Sequence, residues 1–202
     1  HNNININAAI SQSNPGGNNT PNAVNLILTA NSDSAGGGNV VLAADVDTGG
    51  GSFTASGVNF TQNAIRNLDT GGGAIQLTQT GVIDLLGNSI TTSGAAVTIS
   101  GAGDSTLTSA ITTSGGNISA TLNGAGNDWA VNAGLNASGG AGTGSVDIRS
   151  NGGELTLNSS ALLSTGGSGV ATLRAAGAMI LSGDITTNGG DVSIATTVPG
   201  NL

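Results

Sequence analysis

The acidic residues Asp45, Asp47 and Asp69 come closest to a reactive constellation in this chain. Asp45 and Asp47 are separated by one residue, and Asp47 and Asp69 hold the same place in two successive copies of one short stretch. Glycoside hydrolysis uses two carboxylates roughly 5–10 Å apart across a cleft. Neighbouring turns of a repeat can supply that spacing. The rest of such a site is missing from the pattern, because no aromatic platform and no base stands near these acids. His1 is terminal, and Asp184 occupies the place of Asp45 six repeats later, too far away to join them. An active site requires a converging set of groups, so the expectation is a chain that is not an enzyme and has no catalytic residues.

Metal chemistry is the next class to weigh. The calcium-binding nonapeptide runs Gly-Gly-x-Gly-x-Asp-x-apolar-x, and its Asp supplies the ligand. Gly139 to Asp147 fits except that Gly144 stands where the Asp belongs, and Gly166 to Arg174 fits except for Ala171. Both therefore read as glycine turns, and no metal or cofactor is expected. Net charge is −8 with three basic residues, Arg66, Arg149 and Arg174. Nucleic-acid binding needs clustered positive charge, so that class is disfavoured. No apolar run reaches the 18 or so residues of a membrane helix. Trp129 is the single Trp. It follows Asn127-Asp128 before a short strand, where a corner could present the ring as a surface contact. Packing is the more ordinary fate of a lone Trp, which is highly buried on average.

These residues sit within a repeat. Val46-Asp47-Thr48-Gly49-Gly50 returns as Leu68-Asp69-Thr70-Gly71-Gly72, Ile90-Thr91-Thr92-Ser93-Gly94 and Ile111-Thr112-Thr113-Ser114-Gly115. Leu135-Asn136-Ala137-Ser138-Gly139, Leu163-Ser164-Thr165-Gly166-Gly167 and Ile185-Thr186-Thr187-Asn188-Gly189 complete the seven copies. The apolar leaders step by 22, 22, 21, 24, 28 and 22 residues. A fixed period of this size is the signature of a solenoid.

Alignment on the leader shows what each column requires. Four places on, Gly is invariant: Gly50, Gly72, Gly94, Gly115, Gly139, Gly167 and Gly189. A position that takes only Gly implies positive φ or no room for a Cβ. Seven places on stand Phe53, Ile75, Val97, Ile118, Val170 and Val192, with a slip to Val146 and Ile148 in the fifth copy. Ala55, Leu77, Ile99, Ala120, Leu173 and Ile194 follow as the second apolar member of that strand. A step of two means a strand with one buried face. Four places before the leader lie Leu42, Leu86, Leu107, Val131 and Leu181, a further short strand. The Thr column, Thr48, Thr70, Thr92, Thr113, Thr165 and Thr187, turns inward by alternation and reads as a ladder that bonds to itself or to the turn backbone. On these assignments Gly115→Val should disrupt folding far more than Ser109→Val.

No window carries a 3.6-residue apolar period, and an antiparallel meander would not return the same strand at the same phase. The fold expected is all-β, a parallel β-helix or β-solenoid of about 22 residues per coil, stacked at about 4.8 Å. Residues 1–202 read as one continuous solenoid, irregular over 1–45, regular over 46–202, with an enlarged coil at 135–163. The segment Asn14 to Asn22 reads as a long polar turn. Thirty-six Gly, two Phe and no Tyr suit a narrow lumen. Without Cys, the fold must rest on backbone ladders and stacked apolar columns. Flat Thr-rich solenoid faces can bind ice, but the outward column Asp47, Asp69, Thr91, Thr112, Asn136, Ser164, Thr186 is mixed and partly charged. Neither end reads as a polar cap, which implies a window of a longer chain or a protomer covered by its neighbours.

The copies of Ile-Thr-Thr-Ser/Asn-Gly followed by an apolar-x-apolar strand resemble the repeats of filamentous-haemagglutinin-like proteins, large bacterial exported adhesins. The resemblance covers about 40–202 and is one of repeat style. It implies a right-handed parallel β-helix, an extracellular or cell-surface location, and adhesion or fibre building. Expected partners are other copies or flanking segments of the same chain through the solenoid ends, and cell-surface glycans or a host receptor. No membrane insertion is expected. The main expectation is a non-enzymatic structural or adhesive stalk. A filament or sheath subunit stacking end to end is the alternative, and a polysaccharide-acting β-helix the weaker one.

Overall fold

Alternating apolar residues in short runs, separated by Gly-rich turns, produce a chain of strands in the computed structural model, which describes residues 2–12, 22–30, 36–140 and 142–197. His1 and most of the turn Asn14 to Asn22 lie outside these residues. The described strands form three parallel sheets of eight, seven and eight strands. The first sheet runs from Ile4–Ile6 through Asn39–Leu42 to Met179–Leu181, and the second from Val46–Asp47 to Asp184–Thr186. The third runs from Leu26–Thr29 through Phe53–Gly57 to Val192–Thr196. The chain visits the three sheets in turn and returns to the first one strand further on, so every crossover advances one coil. This is a parallel β-solenoid of about 22 residues per coil with no helix among the described residues. Eight strands at the ordinary spacing span roughly 35 Å.

Register is carried by the leaders. Val46, Leu68, Ile90, Ile111, Leu135, Leu163 and Ile185 pair one above another in the second sheet. All but Ile185 are at most 1% exposed. Each such side chain contributes about 1.5–3 kcal/mol by leaving water. A one-residue slip would turn a whole strand's apolar set outward, so the stack has one register.

Two columns differ from the spacing-based reading, and corner length is the reason. Leu85, not Leu86, pairs with Leu107. The corner Leu86-Gly87-Asn88 is one residue longer than Thr108-Ser109, which leaves Leu86 at 40% exposure. In the sixth copy Ala171, not Val170, pairs with Val146. There the Thr165 hydroxyl reaches four residues on to the Gly169 carbonyl at 2.8 Å, whereas Thr48, Thr70, Thr92 and Thr113 reach three, so that turn holds one extra residue.

A polar residue also enters the lumen. Gln62 stands between Leu42 and Leu85 in an otherwise apolar column and is 0% exposed. Its Nε2 donates to the Arg66 carbonyl at 2.9 Å and the Ser89 carbonyl at 3.1 Å. Its Oε1 accepts from the Ser109 hydroxyl at 2.9 Å. Ser109 is therefore buried, not the permissive corner position that the repeat suggests.

Candidate functional site

The seven turn glycines all have positive φ, from +48° at Gly167 to +153° at Gly72. L-residues meet steric strain in that region. At Gly115 a second constraint is added, because a Cβ would lie 2.7 Å from the Gly139 carbonyl oxygen of the next coil. A closer approach falls one residue later: a Cβ on Gly116 would come within 2.1 Å of the Ala95 carbonyl oxygen. The turns are thus where successive coils touch backbone to backbone.

The Thr hydroxyls face inward and close these turns. Thr48, Thr70, Thr92 and Thr113 each donate to the carbonyl three residues on: Gly51, Gly73, Ala95 and Gly116. All four are at most 3% exposed. The hydroxyls bond to backbone and not to one another, and those of Thr70 and Thr92 also reach the Thr91 and Thr113 carbonyls of the next coil at 3.4 and 3.5 Å. Ala137 has no hydroxyl to do this, and its turn is the enlarged one. Thr187, in the last coil, makes no side-chain hydrogen bond among the described residues.

The acids that head the chemical reading have structural partners. Asp47 Oδ1 accepts the Gly49 N–H at 2.8 Å, and Asp69 Oδ1 accepts the Gly71 N–H at 2.9 Å. They do lie on adjacent coils, directly paired. Each forms an Asx turn, a local bond that pre-shapes the glycine bend. Asp45 Oδ1 accepts the Asn67 N–H of the next coil at 2.9 Å. Asn25 does the same for Ser52 at 2.8 Å and Asn117 for Ser145 at 2.9 Å. These corner side chains satisfy N–H groups that the strand ladders leave free.

The repeat alignment missed a third acidic group. Asp104, Asp128 and Glu154 stack on successive coils just before Ser105, Trp129 and Leu155. Asp104 Oδ1 accepts the Asp128 N–H at 3.0 Å, and Asp128 Oδ1 accepts the Glu154 N–H at 2.7 Å. With Thr106, Ala130 and Thr156 they border a shallow open depression of about 280 Å³. Asp104 and Asp128 both lie seven residues before their leaders, which would have shown the pair. Glu154 is displaced by the longer corner that follows its strand.

Trp129 corrects the surface-contact expectation. It is 1% exposed, the largest fully buried side chain, and points into the lumen in register with Ser105 and Leu155. The small Ser105 below makes room for the ring. The indole Nε1 has no hydrogen-bond partner among the described residues, and neither does Gln79 Oε1.

Charge pairing on the surface is sparse. Arg149 forks onto Asp147 with contacts of 2.6–3.0 Å, and this neighbour raises the guanidinium pKa. Arg174 stands above Arg149 on the following strand. Burial pushes the Asp84 carboxyl above its usual range, opposed in part by a hydrogen bond from the Thr106 backbone. Among the described residues no group of three His, Cys, Asp or Glu could hold a metal ion. No helix among them is long and apolar enough to cross a membrane.

The geometry defines the class: a parallel β-solenoid repeat protein. Compared with known proteins, the chain matches no family model, no curated protein and no solved structure.

Proposed function

We propose that this chain is a non-enzymatic structural segment, a rigid stalk or fibre element of a large bacterial exported protein of the filamentous-haemagglutinin-like kind. The observation that carries this reading is the unbroken passage of three parallel ladders through the described coils. Each coil is tied to the next on all three sides, so length is added by repetition and bending requires loss of several ladders at once. Asp45, Asp47 and Asp69 support the same reading, because each has an Oδ1 engaged in holding a turn or a corner. The location is extracellular or at the cell surface, and outward side chains of the sheets would meet cell-surface glycans or a host receptor.

Small-angle scattering tests the mechanical part. A rod whose length corresponds to about one strand spacing per coil is the expected result, and a compact or flexible particle overturns it. A glycan panel tests the rest. Retention of glycans without turnover fits an adhesive stalk. Turnover that disappears in Asp47→Asn or Asp69→Asn would establish an enzyme instead.

A further inference from the structure

Three Asn-Gly dipeptides occur in the chain, at Asn123, Asn151 and Asn188. The first two stand on one corner of successive coils, directly after the paired residues Leu122 and Ser150. Packing imposes the glycine there. A Cβ on Gly124 would lie 2.4 Å from the Ala102 carbonyl oxygen of the coil before, and one on Gly152 would lie 2.1 Å from the Gly124 carbonyl oxygen. Stacking favours the asparagine. Asn151 Nδ2 donates to Asn123 Oδ1 at 3.0 Å, and Asn123 Nδ2 donates to the Ser100 hydroxyl at 3.2 Å. The corner therefore requires a chemically labile dipeptide, because a glycine has no side chain to shield its nitrogen from the carboxamide before it.

The two positions are not equivalent. Asn123 and Asn151 are both exposed, and neither the Gly124 nor the Gly152 N–H donates a hydrogen bond among the described residues. Only the Asn123 carboxamide is held at both ends. Its oxygen takes an N–H from Asn151, whereas the side-chain oxygens of Asn151 and Asn188 accept none among the described residues. A donor on a carbonyl oxygen makes the carbon more electrophilic, and the bond strengthens as negative charge grows on that oxygen.

We propose that Asn123 is a self-modification site, where the folded solenoid converts its own asparagine to aspartate and isoaspartate. The Gly124 nitrogen attacks Asn123 Cγ and loses its proton to solvent base, while the Asn151 N–H holds the developing oxyanion at Oδ1. The Cγ–Nδ2 bond breaks, and the nitrogen takes a proton from solvent and leaves as ammonia. A cyclic succinimide remains, and water opens it. Addition of water at Cγ restores the ordinary chain with aspartate at 123. Addition at the Asn123 backbone carbonyl carbon leaves the chain running through the side chain as isoaspartate. Water is the one co-reactant consumed. Either product alters the joint between coils. Aspartate adds charge to a corner that already carries Asp128, and isoaspartate adds a backbone atom beside Gly124, where the coils touch. This chemistry is independent of the stalk reading.

The sequence permits a direct test. Arg66, Arg149 and Arg174 are the three basic residues, so the three dipeptides fall in separate tryptic peptides, 67–149, 150–174 and 175–202. The folded chain is incubated at mildly alkaline pH, digested and followed by mass spectrometry. Asn123 should convert faster than Asn151 or Asn188. In urea, where the stack is lost, the three rates should converge. Asn151→Ala removes the exposed donor without touching Gly124, and should slow conversion at Asn123 about three- to tenfold, the worth of one hydrogen bond. Conversion at Asn123 no faster than at Asn151 in the folded chain overturns the proposal. So does an Asn151→Ala variant whose rate at Asn123 is unchanged, and so does a preference for Asn123 that persists in urea, since local sequence would then set the rate.

Discussion

The Ser109 hydroxyl donates to Gln62 Oε1 at 2.9 Å across 47 residues of chain. The bond spans three coils, since the same amide also holds the Arg66 and Ser89 carbonyls. Gly87 leaves the path clear, as a Cβ there would sit 2.4 Å from the Gln62 Cδ. The network is buried and fully partnered, so removing one member strands the others. Ser109→Ala should lower stability by about 1–3 kcal/mol in urea unfolding, the cost of an unmet buried acceptor. Gln62→Leu combined with Ser109→Ala should cost less than the two single changes added together, with a coupling of about 0.5–3 kcal/mol. Simple additivity would show that the bond carries no weight.

Gly115 and Gly94 separate two reasons for glycine in the turn column. Their φ angles are +108° and +97°, so an Ala at either position is strained, by about 1–3 kcal/mol. A Cβ at Gly94 would meet nothing within 4 Å, whereas one at Gly115 would lie 2.7 Å from the Gly139 carbonyl oxygen. Gly115→Ala should therefore lower the unfolding midpoint clearly more than Gly94→Ala. Equal losses would mean that backbone conformation alone selects glycine.

The Thr column makes a similar comparison. Thr113 is 0% exposed and its hydroxyl caps the Gly116 carbonyl. Thr113→Val keeps the shape and leaves that carbonyl unmet, at about 1–2 kcal/mol by urea unfolding. Thr187 has no such bond among the described residues, and Thr187→Val should stay within about 0.5 kcal/mol.

How much of this was legible follows from what a period can encode. The leader, Thr and glycine columns share one offset in nearly every copy, because all three lie within four residues of the leader, whereas the extra turn residues of the fifth and sixth copies shift the strand that follows. The corner before the leader varies in length, and fixed offsets fail there: Leu86 was read for Leu85, and Glu154 was not aligned with Asp128. Gln62 was invisible for a different reason. Two of its three partners, Ser89 and Ser109, are one and two coils away, and a polar residue in an apolar column carries no label of the serine that will meet it. Asp47 and Asp69 were found as a pair, but only coordinates show their Oδ1 atoms engaged with Gly49 and Gly71.

Trp129 gives the lumen its own reporter. It is the single Trp and is 1% exposed. Native emission should be blue-shifted and resist quenching by iodide and acrylamide, and unfolding should shift it to the red. Free quenching in the folded state would place the ring at the surface and break the register of Trp129 with Ser105 and Leu155.

Asp84 supplies a pH dependence whose sign can be worked out. Burial raises its folded pKa above the unfolded value, so the folded chain holds this proton more tightly. The resulting stabilisation is present below the unfolded pKa and is lost as pH rises through the folded one. At neutral pH the half-buried carboxylate is therefore a small net cost. Asp84→Asn keeps an oxygen that can accept the Thr106 backbone bond and removes the charge. The variant should match or exceed the parent at pH 7 by up to about 0.5 kcal/mol, the ordinary range for surface changes. That advantage should shrink as pH falls through the carboxylate range. Paired urea titrations at pH 7 and in that range check both the sign and the closing of the gap. A parent that is more stable than the variant at pH 7 would mean that the charge–Thr106 bond outweighs burial.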